Sequence, residues 1–314
     1  MANLLHGKFT STPIATLNKE GEFKRSETTF RKRPNGKDIE SGRYSLFVSY
    51  ACPWAHRTLI MRSLKGLEPH IPVRISDPFM GDKGWVFRDK KDLLYLAELY
   101  VTADSDYSGK ITVPVFWDSK TNSITNNESS EIIRILNDEF DDLTGNQFDF
   151  YPEHLRGEID RINDLVYGAI NNGVYKTGFA ATQEAYEKNF RALFDALNKV
   201  EEILSSRNFL TGEFFTEADI RLFTTLIRFD PVYYGHFKCN QKRIADYPHL
   251  FSYLRSIYQD ERIRSTCHFD HIKAHYYGSH RFLNPQGIVP LGPDLSSLDL
   301  PHERGELKIV LKSL

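Results

Sequence analysis

The chain has 314 residues, with 40 Lys and Arg against 42 Asp and Glu and a formal net charge of −2. Its 40% hydrophobic and 26% charged residues exclude disordered and fibrous classes, and the balanced charge calls for neither nucleic acid nor an anionic membrane. At roughly 100–200 residues per domain, the length suggests two domains.

The first residues, 1–40, are polar and read as a mostly irregular arm, without the apolar run of a signal peptide. Regular structure begins at Arg43–Tyr50, a strand by its aromatic and β-branched content. Pro53 sits where a helix starts, since its missing N–H costs nothing there. Leu59, Ile60 and Leu64 continue an apolar stripe, and Gly66 closes it. Ile71–Ile75 reads as a second strand, parallel to the first. Residues 77–110 form a long insertion with a short helix around Asp92–Tyr100. Thr112–Trp117 is a third strand interrupted by Pro114, which marks an edge, a bulge or a special turn. Asp118–Ser123 is a hairpin turn into Ile124–Thr125. A helix follows with Ile132, Ile133, Ile135, Leu136 and Phe140 on its buried side.

After Pro152 the periodicity changes from two to 3.6, and only helices follow. Thr216–Asp219 opens one of them with a capping-box-like start. Another runs from about Pro248 to Ile263. Residues 278–314 are rich in Pro and Gly and read as an extended tail. The expected organisation is an arm at 1–40, an α/β domain at 41–141, an all-helical domain at 152–277 and a C-terminal extension at 278–314. No stretch approaches the ~20 apolar residues of a membrane span. The ending Lys312-Ser313-Leu314 scrambles the peroxisomal address and is not one. Cytoplasm is the expected location.

Only three cysteines occur, Cys52, Cys239 and Cys267, which is no disulfide framework and fits a reducing compartment. Cys52 lies between a strand and a helix, in Cys52-Pro53-Trp54-Ala55. Unpaired N–H groups and the helix dipole stabilise a thiolate there, and a thiolate attacks sulfur. Ala55 stands where a redox pair would have its second cysteine, so an external thiol must complete any cycle. The bland alternative is a buried structural cysteine. Cys239 and Cys267 fit that description better. Pro114 after Val113 is a candidate cis bond that would leave Val113's backbone groups open to an extended peptide. Glu128-Ser129 at a helix start either caps that helix, with Asn127 as another cap, or holds an amino group and a carboxylate.

These elements, in this order, resemble the glutathione transferase superfamily. Several runs narrow the resemblance: Ala51-Cys52-Pro53-Trp54-Ala55-His56-Arg57, Gly84-Trp85-Val86-Phe87, Thr112-Val113-Pro114-Val115, Asn127-Glu128-Ser129-Ser130-Glu131-Ile132, and Phe215–Leu222. Together they are similar to the glutathionyl-hydroquinone reductases, or Xi-class glutathione transferases, over about residues 40–291. The resemblance implies a thioredoxin-like N-terminal domain followed by a helical domain of the glutathione transferase type. It implies Cys52 as nucleophile, and Trp85, Val113, Glu128 and Ser129 as glutathione-binding residues. Tyr175 and Tyr276 match tyrosines that face the quinone. Lys110 stands where an arginine is expected near the glutathione carboxylate, which keeps the charge but not bidentate geometry.

The implied activity is glutathione-dependent reduction of S-glutathionyl-hydroquinones, with glutathione as cosubstrate, no metal, and a homodimer as the assembly. Two alternatives are an omega-like thioltransferase or dehydroascorbate reductase, and a non-catalytic binder of glutathione or aromatic ligands. Tyr233 either lines the acceptor pocket or fills the helical core. His268, His271, His275 and His280 form a row beside Cys267. Helical spacing makes a zinc site conceivable, but packing and hydrogen bonding are the commoner uses of histidine.

Overall fold

The computed structural model describes residues 2–10, 17–89 and 92–312. Residues 11–16 of the arm, residues 90–91 of the insertion, and Ser313 and Leu314 of the C-terminal triplet lie outside them. Two compact units emerge, each assembled from three chain segments: Met1–Thr16, Arg25–Asn146 and His268–Ile288, and then Leu17–Lys24, Gln147–Cys267 and Val289–Leu314.

The first unit opens with a hairpin where an irregular arm was expected. Strands β1 (Asn3–Leu5) and β2 (Lys8–Thr10) pair antiparallel through a two-residue turn, His6-Gly7. Both turn residues have positive φ, 48° and 70°, the geometry whose twist matches a tight hairpin. Strand β3 (Tyr44–Val48) leads into helix α1 (Pro53–Leu64), and β4 (Val73–Ile75) returns parallel to β3. The insertion holds a hairpin, β5 (Val86–Asp89) with β6 (Asp92–Tyr95), and only then helix α2 (Leu96–Ala103). The helix expected over Asp92–Tyr100 therefore begins at Leu96. The apolar run Leu93–Leu96 serves a strand and a helix in turn, and such short runs do not distinguish the two.

Strand β7 (Gly109–Lys110) pairs with β1, so the N-terminal hairpin becomes a three-stranded sheet. Strand β8 (Val115–Asp118) begins just past Pro114, and β9 (Ser123–Asn126) follows it. The main sheet has the order β4-β3-β8-β9, with β4 parallel to β3 and the other pairs antiparallel. Helix α3 (Ser129–Asp138) lies beside α1 and buries Ile132, Ile133, Ile135 and Leu136. Leu46, Val48, Ile60, Met61, Val115 and Phe116 complete this core. Burying each such side chain contributes roughly 1.5–3 kcal/mol.

At the edge of this core, Arg43 forms a bidentate pair with Asp118, Nε to Oδ1 at 3.0 Å and Nη2 to Oδ2 at 2.7 Å. Burial works to raise the Asp118 carboxyl, but the Arg43 guanidinium and the Lys120 N–H hold it below its ordinary value. A lowered folded-state value means that the pair stabilises the protein above the unfolded carboxyl's pKa, about 4, and loses this effect as pH falls through the lower folded value. Asp118→Asn should cost about 2 kcal/mol at pH 7, because it leaves a buried guanidinium half-paired. Urea unfolding of both proteins should show the gap closing as the pH drops below about 4. A gap that does not change with pH would contradict the assignment.

The second unit carries the helices. After α4 (Asp141–Thr144), which still belongs to the first unit, and β10 (Phe148–Asp149), come α5 (Arg156–Leu165), α6 (Gly173–Gly178), α7 (Gln183–Ser206), α8 (Glu217–Arg228), α9 (Tyr234–His236), α10 (Pro248–Tyr258) and α11 (Glu261–Arg264). The single helix expected over Pro248–Ile263 is thus two, broken at Asp260, whose carboxylate caps α11 by accepting from the Arg262 N–H at 3.0 Å. Wide π-helical turns at Val166–Asn171 and Phe229–Tyr233 join α5 to α6 and α8 to α9. The stretch read as a C-terminal extension holds little regular structure and is fastened down. Arg304 donates to the carbonyls of Leu204, Arg207, Asn208 and His249, and β11 (Val310–Leu311) pairs with β10. A further helix, α12 (Phe269–Ser279), follows the one read as the last, and although it lies within the stretch assigned to the helical domain up to residue 277, it falls in the first unit.

Candidate active site

Cys52 sits where the chain passes from β3 to α1. Its N–H donates to the Ser49 carbonyl at 3.1 Å, and its carbonyl accepts from His56 N–H at 3.0 Å. It is the N-cap of α1, with extended φ and ψ of −76° and 120°, and Pro53 takes the first helical position. An N-cap side chain usually accepts from the first-turn N–H groups. Cys52 makes no such bond, and its thiol instead donates to the Val113 carbonyl at 3.7 Å. The Val113–Pro114 bond is cis. No acidic residue stands in the first turn of α1 to oppose a thiolate there. None of the three cysteines is disulfide-bonded. Burial pushes the thiols of Cys239 and Cys267 up, which makes both poor nucleophiles at neutral pH.

Two guanidinium groups flank the residue after the helix-opening proline. Arg25 lies over the Trp54 ring at 4.5 Å from its centroid, and Arg57 lies over the same ring at 4.6 Å. Arg57 is buried, and its Nη1 reaches Ser129 Oγ at 3.5 Å. The ring two residues after Cys52 therefore carries two cations, one from the helix itself and one from the arm. Arg57 was readable within the cysteine run. Arg25 stands 27 residues before Cys52 in a stretch without periodicity, and no local signal marks it.

Glu128 and Ser129 open α3. Glu128 is the N-cap, and its Oε1 accepts from the Ser130 N–H at 3.1 Å and Oγ at 3.0 Å. Thr28 Oγ1 donates to its Oε2 at 3.3 Å. Asn127 does not cap the helix. It donates to the Tyr100 hydroxyl at 3.0 Å and accepts from the Phe30 N–H at 3.2 Å. Ser129, at the first helical position, has its N–H in the unpaired first turn, a setting that binds carboxylates. Lys110 is delivered by β7, held by the N-terminal hairpin. Burial lowers its amine pKa, and the positive charge of Arg25 adds to that.

Trp85 is nearly buried and stacks on His275 of α12 at 4.7 Å. Tyr276, the next residue, is buried in the same unit. Cys52, Trp85, Lys110, Val113, Glu128, Ser129 and Tyr276 thus all lie in the first unit. Tyr175 and Tyr233 lie in the second. Tyr175 rises from α6 into an aromatic group with Tyr233 at 6.0 Å, Phe237 at 5.4 Å and Phe179 at 5.7 Å. Tyr233 belongs to the second π-helical turn, is fully buried and stacks on Phe237 at 5.3 Å. Among the described residues, no group of three or more His, Cys, Asp or Glu is placed to hold a metal ion, and no helix is long and apolar enough to cross a membrane.

Comparison with known proteins bears on this arrangement. The family models for the N-terminal and C-terminal domains of glutathione S-transferase match residues 51–139 and 183–256. Glutathionyl-hydroquinone reductase YqjG of Escherichia coli is 48% identical over 324 residues, covering 97% of this chain and 98% of that protein. Glutathionyl-hydroquinone reductase PcpF of Sphingobium chlorophenolicum is 50% identical, covering 93% and 96%. The chain belongs to the glutathionyl-hydroquinone reductases, the Xi class of glutathione transferases. A solved Xi-class transferase from Natrialba magadii superimposes with a TM-score of 0.91 at 44% identity, covering 97% of each chain. The glutathione-bound structure of YqjG superimposes at 0.84 with 46% identity, covering 96% of this chain and 98% of that one. The fold of this reductase is thus the expected thioredoxin-like domain joined to a helical domain of the transferase type.

Proposed function

We propose that this protein reduces S-glutathionyl-hydroquinones to hydroquinones at the expense of a second glutathione, through a Cys52–glutathione mixed disulfide. The observation that carries this reading is the thiol of Cys52 at the N-cap of α1, uncommitted to capping, 3.7 Å from the Val113 carbonyl beside a cis proline. An extended tripeptide bound along Val113 would present its sulfur to that thiol. Glu128 and Ser129 take the γ-glutamyl end, Lys110 neutralises a carboxylate, and Trp85 covers the peptide.

The Cys52 thiolate attacks the thioether sulfur. The new S–S bond forms as the C–S bond breaks, and the electron pair goes to the ring carbon. An aryl carbanion is a poor leaving group unless the ring is tautomerised to a ketone or receives a proton in step. Proton delivery is assigned to Tyr276, in the unit that carries Cys52, while Tyr175 and Tyr233 are carried over as quinone-side residues from the resemblance alone. The hydroquinone leaves. A second glutathione then attacks the mixed disulfide, releasing glutathione disulfide and the Cys52 thiolate. The ring carbon is reduced and two sulfurs are oxidised, so one cysteine suffices. The cycle needs a pool of reduced glutathione, which fits the cytoplasm, and the homodimer rests on the family resemblance alone.

Tyr276→Phe separates this reading from simple thiol–disulfide exchange. It should lower kcat for glutathionyl-menadione about 100-fold, within the range for loss of a general acid, and leave exchange with a small mixed disulfide within about twofold. Equal loss in both assays, or none in either, would remove Tyr276 from the proposed role.

A further inference from the structure

The histidine row of α12 is a sequence feature that the proposed reaction leaves unused. Residues three and four apart share a helix face, so His271 and His275 point the same way, with His268 at the N-cap just before them. In the structure that face meets two segments of its own unit. Tyr50, two residues before Cys52, lies flat on His268, with ring centroids 3.6 Å apart and planes 20° apart. His271 meets Tyr50 edge-on at 5.4 Å. One turn further on, His275 stacks on Trp85 at 4.7 Å and 27°.

The segment that ends at Trp85 is tied to α12 at three further points. His275 Nδ1 lies 2.9 Å from the Pro78 carbonyl oxygen, so that nitrogen carries the proton and donates. The Met80 N–H donates to Ser279 Oγ at 2.9 Å. Phe79 lies against Gly278 so closely that a Cβ there would come within 2.4 Å of its ring. His275 is 5% exposed and Trp85 is 7% exposed, so this contact is built in and not a passing surface encounter.

We infer that α12 is a positioning element of the active site and that His275 is the positioning residue for Trp85. This rests on the assignment of Trp85 to glutathione given above. An indole on a long insertion would otherwise lose rotamer freedom each time glutathione bound. Fixing its plane beforehand removes that cost from binding. Histidine suits the place because its ring offers a flat face to Trp85 and an N–H to Pro78 at once. Phenylalanine keeps only the face, and asparagine keeps only the donor. Tyr276 rides on the same helix, so the element that sets the glutathione wall also carries a residue proposed for the quinone.

Steady-state kinetics of His275→Ala, His275→Phe and His275→Asn, with the glutathionyl-hydroquinone varied at saturating glutathione, test this. His275→Ala should raise KM for the glutathionyl-hydroquinone about 3- to 10-fold, the worth of one stacked ring pair, while kcat changes less than about twofold. His275→Phe should restore most of the loss. Should His275→Ala fail to fold, His275→Asn carries the same expectation, because it keeps a donor and loses the stack. In the double variant with Trp85→Ala, the second change should add nothing to the first. A fall in kcat at unchanged KM, or additive effects in the double variant, would mean that His275 serves only the fold and would overturn the inference. If Trp85→Ala raises KM and His275→Ala does not, the inference alone fails. If neither raises KM, the glutathione role of Trp85 fails with it.

Discussion

Cys52→Ser should lower the reduction of glutathionyl-menadione at least about 1,000-fold, to the rate without protein, because a hydroxyl is neither ionised at neutral pH nor able to form a disulfide. The same change should not weaken the fold. Cys52 is the N-cap of α1 and makes no side-chain capping bond, whereas serine is among the preferred N-caps. The variant should therefore unfold at the same urea concentration or slightly higher. A native residue that is worse for the helix than its isostere, at the one place where a thiolate is favoured, is what a site kept for chemistry looks like. Retained turnover in the variant would make Cys52 a structural cysteine. Lost turnover together with a large loss of stability would leave the chemical role unsupported.

Asp219→Ala should be the most damaging change to the second unit, at about 4 kcal/mol. The Asp219 carboxylate is fully buried and gathers donors from four groups. The Thr216 N–H and Oγ1 reach it at 2.8 Å and 3.2 Å, the Leu210 N–H at 3.0 Å and the Tyr253 hydroxyl at 2.9 Å. Alanine removes the cap of α8 and leaves these donors in the core without their acceptor, at roughly 1–3 kcal/mol for each one not satisfied elsewhere. Burial pushes the carboxyl up to about 6, against the pull of its hydrogen bonds. The native state then holds this proton more tightly than the unfolded state. Through this group alone, stability is greatest below about 4 and is lost as the pH rises through the folded value. Urea unfolding at pH 7 is the check, and a difference below about 1 kcal/mol would show that the donors find other partners.

The main sheet, the helix after Cys52 and the helical second half were legible because each rests on local periodicity. Asp219 was legible as well, since Thr216 and the acidic residue three places on form a local pattern. What was not legible depends on distant pairing. The hairpin that starts at Asn3–Leu5 joins a larger sheet only through Gly109–Lys110, about a hundred residues away. Arg25 becomes part of the site only because the chain brings it over Trp54. The helix Phe269–Ser279 follows the helical domain in sequence but joins the first unit in space. The His6-Gly7 turn is the exception, because a glycine between two short apolar stretches was a local hairpin signal that the polar composition of the arm obscured. The histidine row was visible from the start, but the sequence could not say that its partners are the rings of Tyr50 and Trp85.

The measurement that bears most directly on the central claim is a single turnover without free glutathione. The protein, with its thiols reduced, is mixed anaerobically with an equimolar amount of glutathionyl-menadiol, the hydroquinone form, freed of the reductant used to prepare it. Menadiol should be released in an amount equal to the protein. Peptide mass analysis should find glutathione in disulfide linkage on Cys52, not on Cys239 or Cys267, and added glutathione should remove it as glutathione disulfide. Menadiol released only after glutathione is added, or glutathione found on another cysteine, would contradict it.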